Sequence, residues 1–99
     1  MSDLHEEFSY PRPNVIVSSS GFTVEIRPRS SILYSEGDRI TDIFAELLVG
    51  DEPRIVVRRA DVRSWQGDEG NPFTEAERAR IIHNIQRAAA FRKWTVDVE

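Results

Sequence analysis

The amino-acid sequence predicts an α+β domain. In it, an antiparallel sheet of about four to six strands carries one long helix from the C-terminal half on one face, and a short strand closes the chain. Apolar residues recur with a period of two between residues 14 and 59, which is typical of half-buried strands. They then recur with helical spacing between Thr74 and Arg92. The length, 99 residues of which 39% are hydrophobic, suits a single domain with one modest core.

The N-terminal residues are predicted to lie outside this domain. Pro11 and Pro13 restrict the residues before them to extended conformations, so residues 1–13 are interpreted as an N-terminal appendage with a flexible character. Residues 14–99 then form the single α+β domain. Its first strand is the short apolar run Val15–Val17, which a serine-rich turn ending in glycine follows.

Four further segments are predicted as strands of the sheet. Residues 22–27 alternate cleanly between apolar and polar side chains, and residues 32–34 form a short apolar run. Residues 40–49 fit both helical and strand spacing, and their length and the turn signals on both sides favour a strand. Residues 54–59 have a β-branched centre with arginines at both ends, which also favours a strand.

The helix has the clearest sequence signals. Thr74 and Glu77 form a capping box, which predicts a helix over residues 74–92. Within it, isoleucines and alanines fall on one stripe of the helical wheel and should face the sheet. Residues 94–99 alternate again and predict the closing strand. The predicted core-facing stripe consists of Ile81, Ile82, Ile85, Ala88 and Ala89.

Charge and composition exclude several classes of function. Seventeen acidic side chains against thirteen basic ones give a net charge of −4, which argues against a nucleic-acid-binding protein. No apolar run approaches the length of a membrane span, the start of the chain lacks the features of a signal peptide, and cysteine is absent. We therefore expect a soluble, cytoplasmic protein. The arginines near Trp65 are expected to pair with the acidic first half of the chain; they are Arg54, Arg58, Arg59 and Arg63.

No pattern in the chain indicates catalysis, a metal or a cofactor. His83 lies on the helix face opposite the isoleucines, and two neighbouring arginines would repel a metal ion or a proton there. The acidic pairs Glu36/Asp38, Asp51/Glu52 and Asp68/Glu69 lie in loops beside glycines, where little burial is available to raise a carboxyl pKa. We expect no enzyme; an enzyme with an unrecognised site is the weakest alternative.

Trp65 has two interpretations, which the sequence leaves open. It follows residues 62–64 at the predicted exit of a strand and opens a polar loop over residues 66–71. The first interpretation is a residue at the rim of the core that closes it. The second is the anchor of a protein interface, because tryptophan is enriched among residues that dominate binding energy.

The order of these elements resembles a known bacterial family. A strand over residues 21–26 is followed by Ala45-Glu46-Leu47-Leu48 and by Ile55–Val57. Ser64-Trp65, a polar loop and the helix with its Thr74–Glu77 cap come next, and a short strand ends the chain. Over about residues 21–99 this resembles the immunity proteins of polymorphic toxin systems, in particular the family called immunity protein 74.

The resemblance implies a cytoplasmic antitoxin that binds a cognate toxin domain and blocks its active site. The candidate docking residues are the acidic loop residues Glu36, Asp38, Asp68 and Glu69, with Trp65 as the apolar centre, since such charge suits a basic target. The alternative function is a small homodimeric binding or adaptor domain of unknown ligand. In that case the exposed edge of the sheet at residues 94–99 would pair with a second copy.

Overall fold

The computed structural model describes residues 6–27, 30–48 and 50–99, and these form a seven-stranded sheet with one helix across a face. The α+β class is therefore confirmed. The sheet has one strand more than the upper end of the predicted range. In chain order the elements are β1 (Phe8–Arg12), β2 (Val15–Ser18), β3 (Phe22–Arg27), β4 (Ser31–Glu36), β5 (Arg39–Leu48), β6 (Arg54–Val57), a 3-10 turn (Arg59–Asp61), α1 (Glu75–Phe91) and β7 (Thr95–Val98).

The additional strand is β1, in the segment that the sequence assigned to the appendage. It pairs antiparallel with β2, and the pairing is irregular between Ser9 and Arg12, where Pro11 lies. Proline has no N–H to donate, so it is tolerated in an edge strand such as this one. The ring of Phe8 lies 6.1 Å from that of Phe22 and 5.6 Å from that of Phe91, which attaches β1 to the core.

The strands follow one another in sequence order, and β1 to β6 are all antiparallel. The last pair is different, because β7 runs parallel to β6. The prediction of an antiparallel sheet is wrong for this strand. The parallel direction of β7 follows from the helix. Because α1 crosses the sheet between β6 and β7, β7 starts from the same end of the sheet as β6.

The strand β5 belongs to two parts of the sheet. Its first six residues, Arg39 to Phe44, pair with β4, and its last four, Ala45 to Leu48, pair with β6. The ambiguous segment is thus a strand, as its length and turn signals predicted. Alternation places Ile43 and Ala45 in the core and turns Phe44 to the opposite face, which we call the outer face.

The helix begins and packs as its sequence predicts. Thr74 Oγ1 accepts the N–H of Glu77 at 3.1 Å, and Glu77 Oε1 accepts the N–H of Thr74 at 2.9 Å, so the capping box is confirmed. All five residues of the predicted stripe are buried against the sheet. Asn84 is buried beside them, which the apolar pattern did not predict. No helix in the described ranges is long and apolar enough to cross a membrane.

The sequence predicted that Arg54, Arg58, Arg59 and Arg63 pair with acids in the first half of the chain. This prediction is wrong for Arg54 and Arg63, whose partners lie in the second half. Arg54 pairs with Asp97, since both lie on the same face of the neighbouring parallel strands β6 and β7. Arg63 lies 3.6 Å from Asp61, two residues earlier in the chain. Among the described residues, the ion pairs that join the two halves start instead from the helix, and they are Arg80 with Glu36 and Arg87 with Glu6.

Candidate functional site

Trp65 is a core residue in the folded chain. Only 5% of its surface is exposed, and its ring stacks on Tyr34 with the ring centres 6.2 Å apart. The edge of Phe73 meets it at 5.1 Å. The strand that was expected to lead into it ends earlier, at Val57, and Trp65 lies in an irregular segment. Its ring therefore closes the core, and it supports the following loop from below.

The loop after Trp65 holds two of the candidate carboxylates in fixed positions. The N–H of Asp68 donates to the carbonyl of Trp65 at 3.0 Å, and the side chain of Asp68 accepts from the amide of Asn71 at 2.8 Å. Glu69 Oε2 accepts the N–H of Gly67 at 2.9 Å. Both carboxylates are exposed on the surface. Asp68 and Glu69 are thus ordered by their own loop and remain accessible to a partner.

The other candidate loop, the turn between β4 and β5, presents its two acids differently. Asp38 is exposed in the turn, which Gly37 makes with a φ of +60°. Glu36 is half-buried and accepts a hydrogen bond from the hydroxyl of Tyr34 at 2.6 Å. Arg80 also donates to it, at 2.9 and 3.2 Å. Asp38 is therefore open to a partner, whereas Glu36 is engaged within the fold.

Glu36 belongs to a polar network that sequence reasoning missed. Asn84, buried on the helix, donates to the hydroxyl of Tyr34 at 2.8 Å, and its own oxygen accepts from Arg87 at 2.7 Å. Burial is the main cause that raises the pKa of Tyr34 far above its usual value, and the neighbouring Glu36 carboxylate adds to it. This network ties the helix to β4 and explains why a polar residue lies on the core side of the helix.

A cleft lies between the first half of β5 and the segment that leads from β6 to the helix. The β5–β6 pairing ends where Ala45 faces Val57. The chain then leaves β5 through the 3-10 turn and returns where Gln66 donates its N–H to the carbonyl of Ile40 at 2.7 Å. The opening between these two points has a volume of about 500 Å³. A second cavity, next to Glu36 and Arg80, has a volume of about 320 Å³.

The walls of the cleft carry more negative than positive charge. Asp61 is mostly buried, and Arg63 is 3.6 Å away from its carboxylate. Asp42, on the other wall, lies 3.8 Å from Arg27. The ring of Phe44 lines the cleft and is 52% exposed. The remaining lining residues are Thr41, Ser64, Gln66 and Glu69, of which Glu69 is a candidate from the sequence.

The sequence did not propose four charged or aromatic residues of the cleft as candidates. They are Asp42, Phe44, Asp61 and Arg63. A signal for two of them was present, because residues 40–49 as a strand must turn Asp42 and Phe44 to the same face. A single exposed aromatic residue is normal on a protein surface, so this signal places Phe44 without assigning it a role. The 3-10 turn that places Asp61 across the cleft from β5 has no such local signal, because its position depends on where β6 stops pairing with β5.

In the described part of the chain, the cleft and His83 provide no cluster of metal-ligating side chains. Among the described residues, no three side chains of the metal-binding types come close enough together to hold a metal ion. His83 is exposed on the helix, on the side away from the sheet. The cleft presents carboxylates, a phenyl ring and backbone groups, an arrangement suited to recognition of a positively charged group.

Comparison with known protein families gives one match. The family model described as immunity protein 74 matches residues 17–99. The match starts within β2, four residues before the resemblance noted in the sequence, and contains the cleft, the loop after Trp65 and the helix. No curated protein and no solved structure matches the chain.

Proposed function

Because the chain belongs to the immunity protein 74 family, we propose that it is the antitoxin of a bacterial polymorphic toxin system. It binds a cognate toxin domain in the cytoplasm of the cell that makes both proteins. It neutralises the toxin by covering its active site and carries out no reaction itself. The observation that carries this proposal is the extent of the family match, which spans residues 17–99 and so most of the folded chain.

The charge of the chain supports an inhibitor of this kind. A net charge of −4 attracts a basic target such as a nuclease and raises the rate at which the two proteins meet. A stable interface buries about 800 Å² on each partner. The whole chain exposes 6503 Å², so a toxin domain with such an interface would cover about one eighth of it.

We place the docking surface at the end of the sheet where the acidic loops lie. Asp38, Asp68 and Glu69 are exposed there, and the last two are held in place by hydrogen bonds within their loop. The other two candidates, Trp65 and Glu36, lie beneath this surface. Trp65 packs under the loop, and Glu36 fixes the strand that enters the β4–β5 turn. Ordered carboxylates lose little freedom on binding, which favours affinity.

Co-expression tests this function. The toxin domain encoded beside the gene is expressed in a bacterial host with the chain, and with an empty vector as control. We expect growth only when the chain is present, and a complex of the two purified proteins that elutes together from a size-exclusion column. Growth arrest in both cultures, together with separate elution of the two proteins, would show that this is not the chain's function.

A second proposal is a homodimer, favoured by the free edge of β7. This strand pairs with β6 on one side and has no strand on its other side among the described residues. Such an edge can pair with the same strand of a second copy. Light scattering during size-exclusion chromatography separates the two forms. A single peak with the mass of one chain, 11.4 kDa, contradicts the homodimer and leaves the antitoxin proposal intact.

A further inference from the structure

The first half of β5 has an open edge inside the sheet. Ile40 turns its carbonyl towards the cleft, where Gln66 donates to it. Backbone groups two residues apart in a strand point the same way, so those of Asp42 also face the cleft, whereas those of Phe44 face Arg58 beside the last β5–β6 pair. Ala45 confirms the alternation, because its N–H donates to Ser30 on the opposite side. Within the described ranges, no backbone hydrogen bond reaches Asp42 from the segment across the cleft.

The side chains around this open edge are incompletely paired. Asp61 has 22% of its side chain exposed, and its one ion-pair partner in the described chain, Arg63, is at 3.6 Å, beyond hydrogen-bond distance. Arg63 itself is 76% exposed and donates weakly, at 3.3 Å, to the carbonyl of Ala60. The carboxylate of Asp42 has Arg27 at 3.8 Å, also too far for a hydrogen bond. The cleft thus holds acceptors that the fold itself leaves largely unused.

We infer that the cleft receives an arginine side chain of the toxin domain. This inference rests on the proposed function and names the chemistry of its partner. A guanidinium group carries five donors in one plane, which suits the carboxylates of Asp42 and Asp61 and the open backbone carbonyl of Asp42. It also stacks on an aromatic ring, and the ring of Phe44 lies exposed at the cleft. A volume of about 500 Å³ accommodates one such side chain together with water.

Charge complementarity selects this occupant over an acidic or apolar one. Three carboxylates line the cleft against one guanidinium, so an acidic side chain would be repelled. An apolar side chain would leave the backbone groups of Asp42 without partners once water is excluded. Lysine brings the charge, but it has neither the plane that stacks on Phe44 nor the paired donors.

The test measures the affinity of the purified chain for a catalytically inactive form of the adjacent toxin domain by titration calorimetry. Asp42→Asn, Asp61→Asn and Phe44→Ala remove the three features of the cleft. We expect each to weaken binding by about tenfold or more, as loss of a charged or stacked contact does in an interface centre. Glu7→Gln is the matched control, because Glu7 is exposed next to β1 at the far edge of the sheet; it should change the affinity by less than about twofold.

Arg63 gives a test of opposite sign. It competes with the incoming guanidinium for Asp61, so Arg63→Ala should strengthen toxin binding by about threefold or more. Arg58→Ala is the control, because Arg58 is exposed and does not line the cleft. This control should give only the smaller change in affinity that follows from the altered net charge. On the toxin, replacing each arginine by lysine should identify one whose loss weakens binding to the wild-type chain and has no further effect with Asp61→Asn.

The outcomes separate the two proposals. Toxin binding that survives all three cleft substitutions with the affinity of the Glu7→Gln control overturns the arginine cleft and leaves the antitoxin function standing. Absence of binding by the wild-type chain overturns the antitoxin function and, with it, the arginine cleft. Melting temperatures close to that of the wild-type chain exclude unfolding as the cause of weaker binding, and all three side chains lie at or near the surface.

Discussion

Tyr34 shows how one residue joins the core to the polar end of the domain. Its ring is fully buried between Phe22 and Trp65, while its hydroxyl donates to Glu36 and accepts from Asn84. A buried hydroxyl without partners costs free energy, so the two hydrogen bonds make the position tolerable. They also fix the helix relative to β4. The same residue therefore determines packing on one side and the position of an acidic turn on the other.

This environment predicts a loss of stability in alkaline solution. The pKa of Tyr34 is raised above its ordinary value of 10.0, mainly by burial. Above pH 10 the unfolded chain therefore releases a proton that the folded chain retains. The free energy of unfolding should fall as the pH rises from there, with a contribution of roughly 1.4 kcal/mol per pH unit from this group.

Urea unfolding at pH 9, 10 and 11 measures this effect, with Tyr34→Phe to remove it. The variant should lose about 1–3 kcal/mol at neutral pH, because Asn84 loses an acceptor, but its stability should depend less on pH above 10. Tyr10→Phe is the control, since Tyr10 is 53% exposed. Identical pH dependence in Tyr34→Phe and the wild-type chain would contradict the assignment.

Ile85 gives a second prediction for a single residue. It is 1% exposed and lies in the middle of the core-facing stripe of the helix. Ile85→Ala should reduce the free energy of unfolding by about 2–5 kcal/mol, because the surrounding sheet and helix cannot fully close the resulting cavity. Chemical denaturation measures the change. A loss below about 0.5 kcal/mol would mean that this face of the helix is not the core.

At the scale of single elements, periodicity predicted most of the structure. The alternation of residues 22–27 and the cap at Thr74 gave a strand and a helix close to those observed. Both signals are local: alternate side chains of a strand face opposite sides, and a helix needs acceptors for its first N–H groups. β1 was missed because Pro11 and Pro13 argue against a strand until the edge position is known.

The parallel direction of β7 and the cleft have no local signal. Both depend on where the chain between Val57 and Glu75 runs, which 17 intervening residues of turns and loops decide. Glu69 was a candidate because it is an acid in a predicted loop, and the structure places it at the cleft. Asp61 was missed because it lies in the 3-10 turn after β6, and the position of that turn across from β5 follows from where the β5–β6 pairing ends, not from a local pattern.

The helix cap provides a prediction at this scale. Thr74→Ala removes the acceptor for the N–H of Glu77 and one half of the capping box. It should destabilise the chain by about 1 kcal/mol, the usual cost of a lost N-cap. Thermal unfolding followed by circular dichroism measures the shift. Thr74→Ser retains the acceptor and is the matched control; equal losses in both variants would contradict the role of the cap.

The loop after Trp65 provides another. Asp68→Lys combined with Glu69→Lys should slow association with the toxin domain and flatten the salt dependence of its rate, because these exposed carboxylates act through long-range attraction. The melting temperature should change little, since neither side chain is buried. Stopped-flow measurements at several salt concentrations provide the rates. Unchanged kinetics would place the interface away from this loop.

At the scale of the whole molecule, charge and shape favour the same function. Residues 1–52 contain ten acids and four bases, and residues 53–99 contain seven acids and nine bases. Two ion pairs from the helix, Arg80 with Glu36 and Arg87 with Glu6, join these halves. The acids that remain exposed include Asp38 in the β4–β5 turn and Asp68 and Glu69 beside the cleft. These exposed acids support the proposed binding of a basic toxin domain.

The antitoxin function is tested most directly by measuring the activity of the adjacent toxin domain on its own substrate while the purified chain is added in increasing amounts. We predict that activity falls in proportion to added chain and disappears when the two proteins are equimolar, while Asp61→Asn shifts the titration to higher concentration. Full toxin activity in the presence of an excess of the wild-type chain would contradict the account.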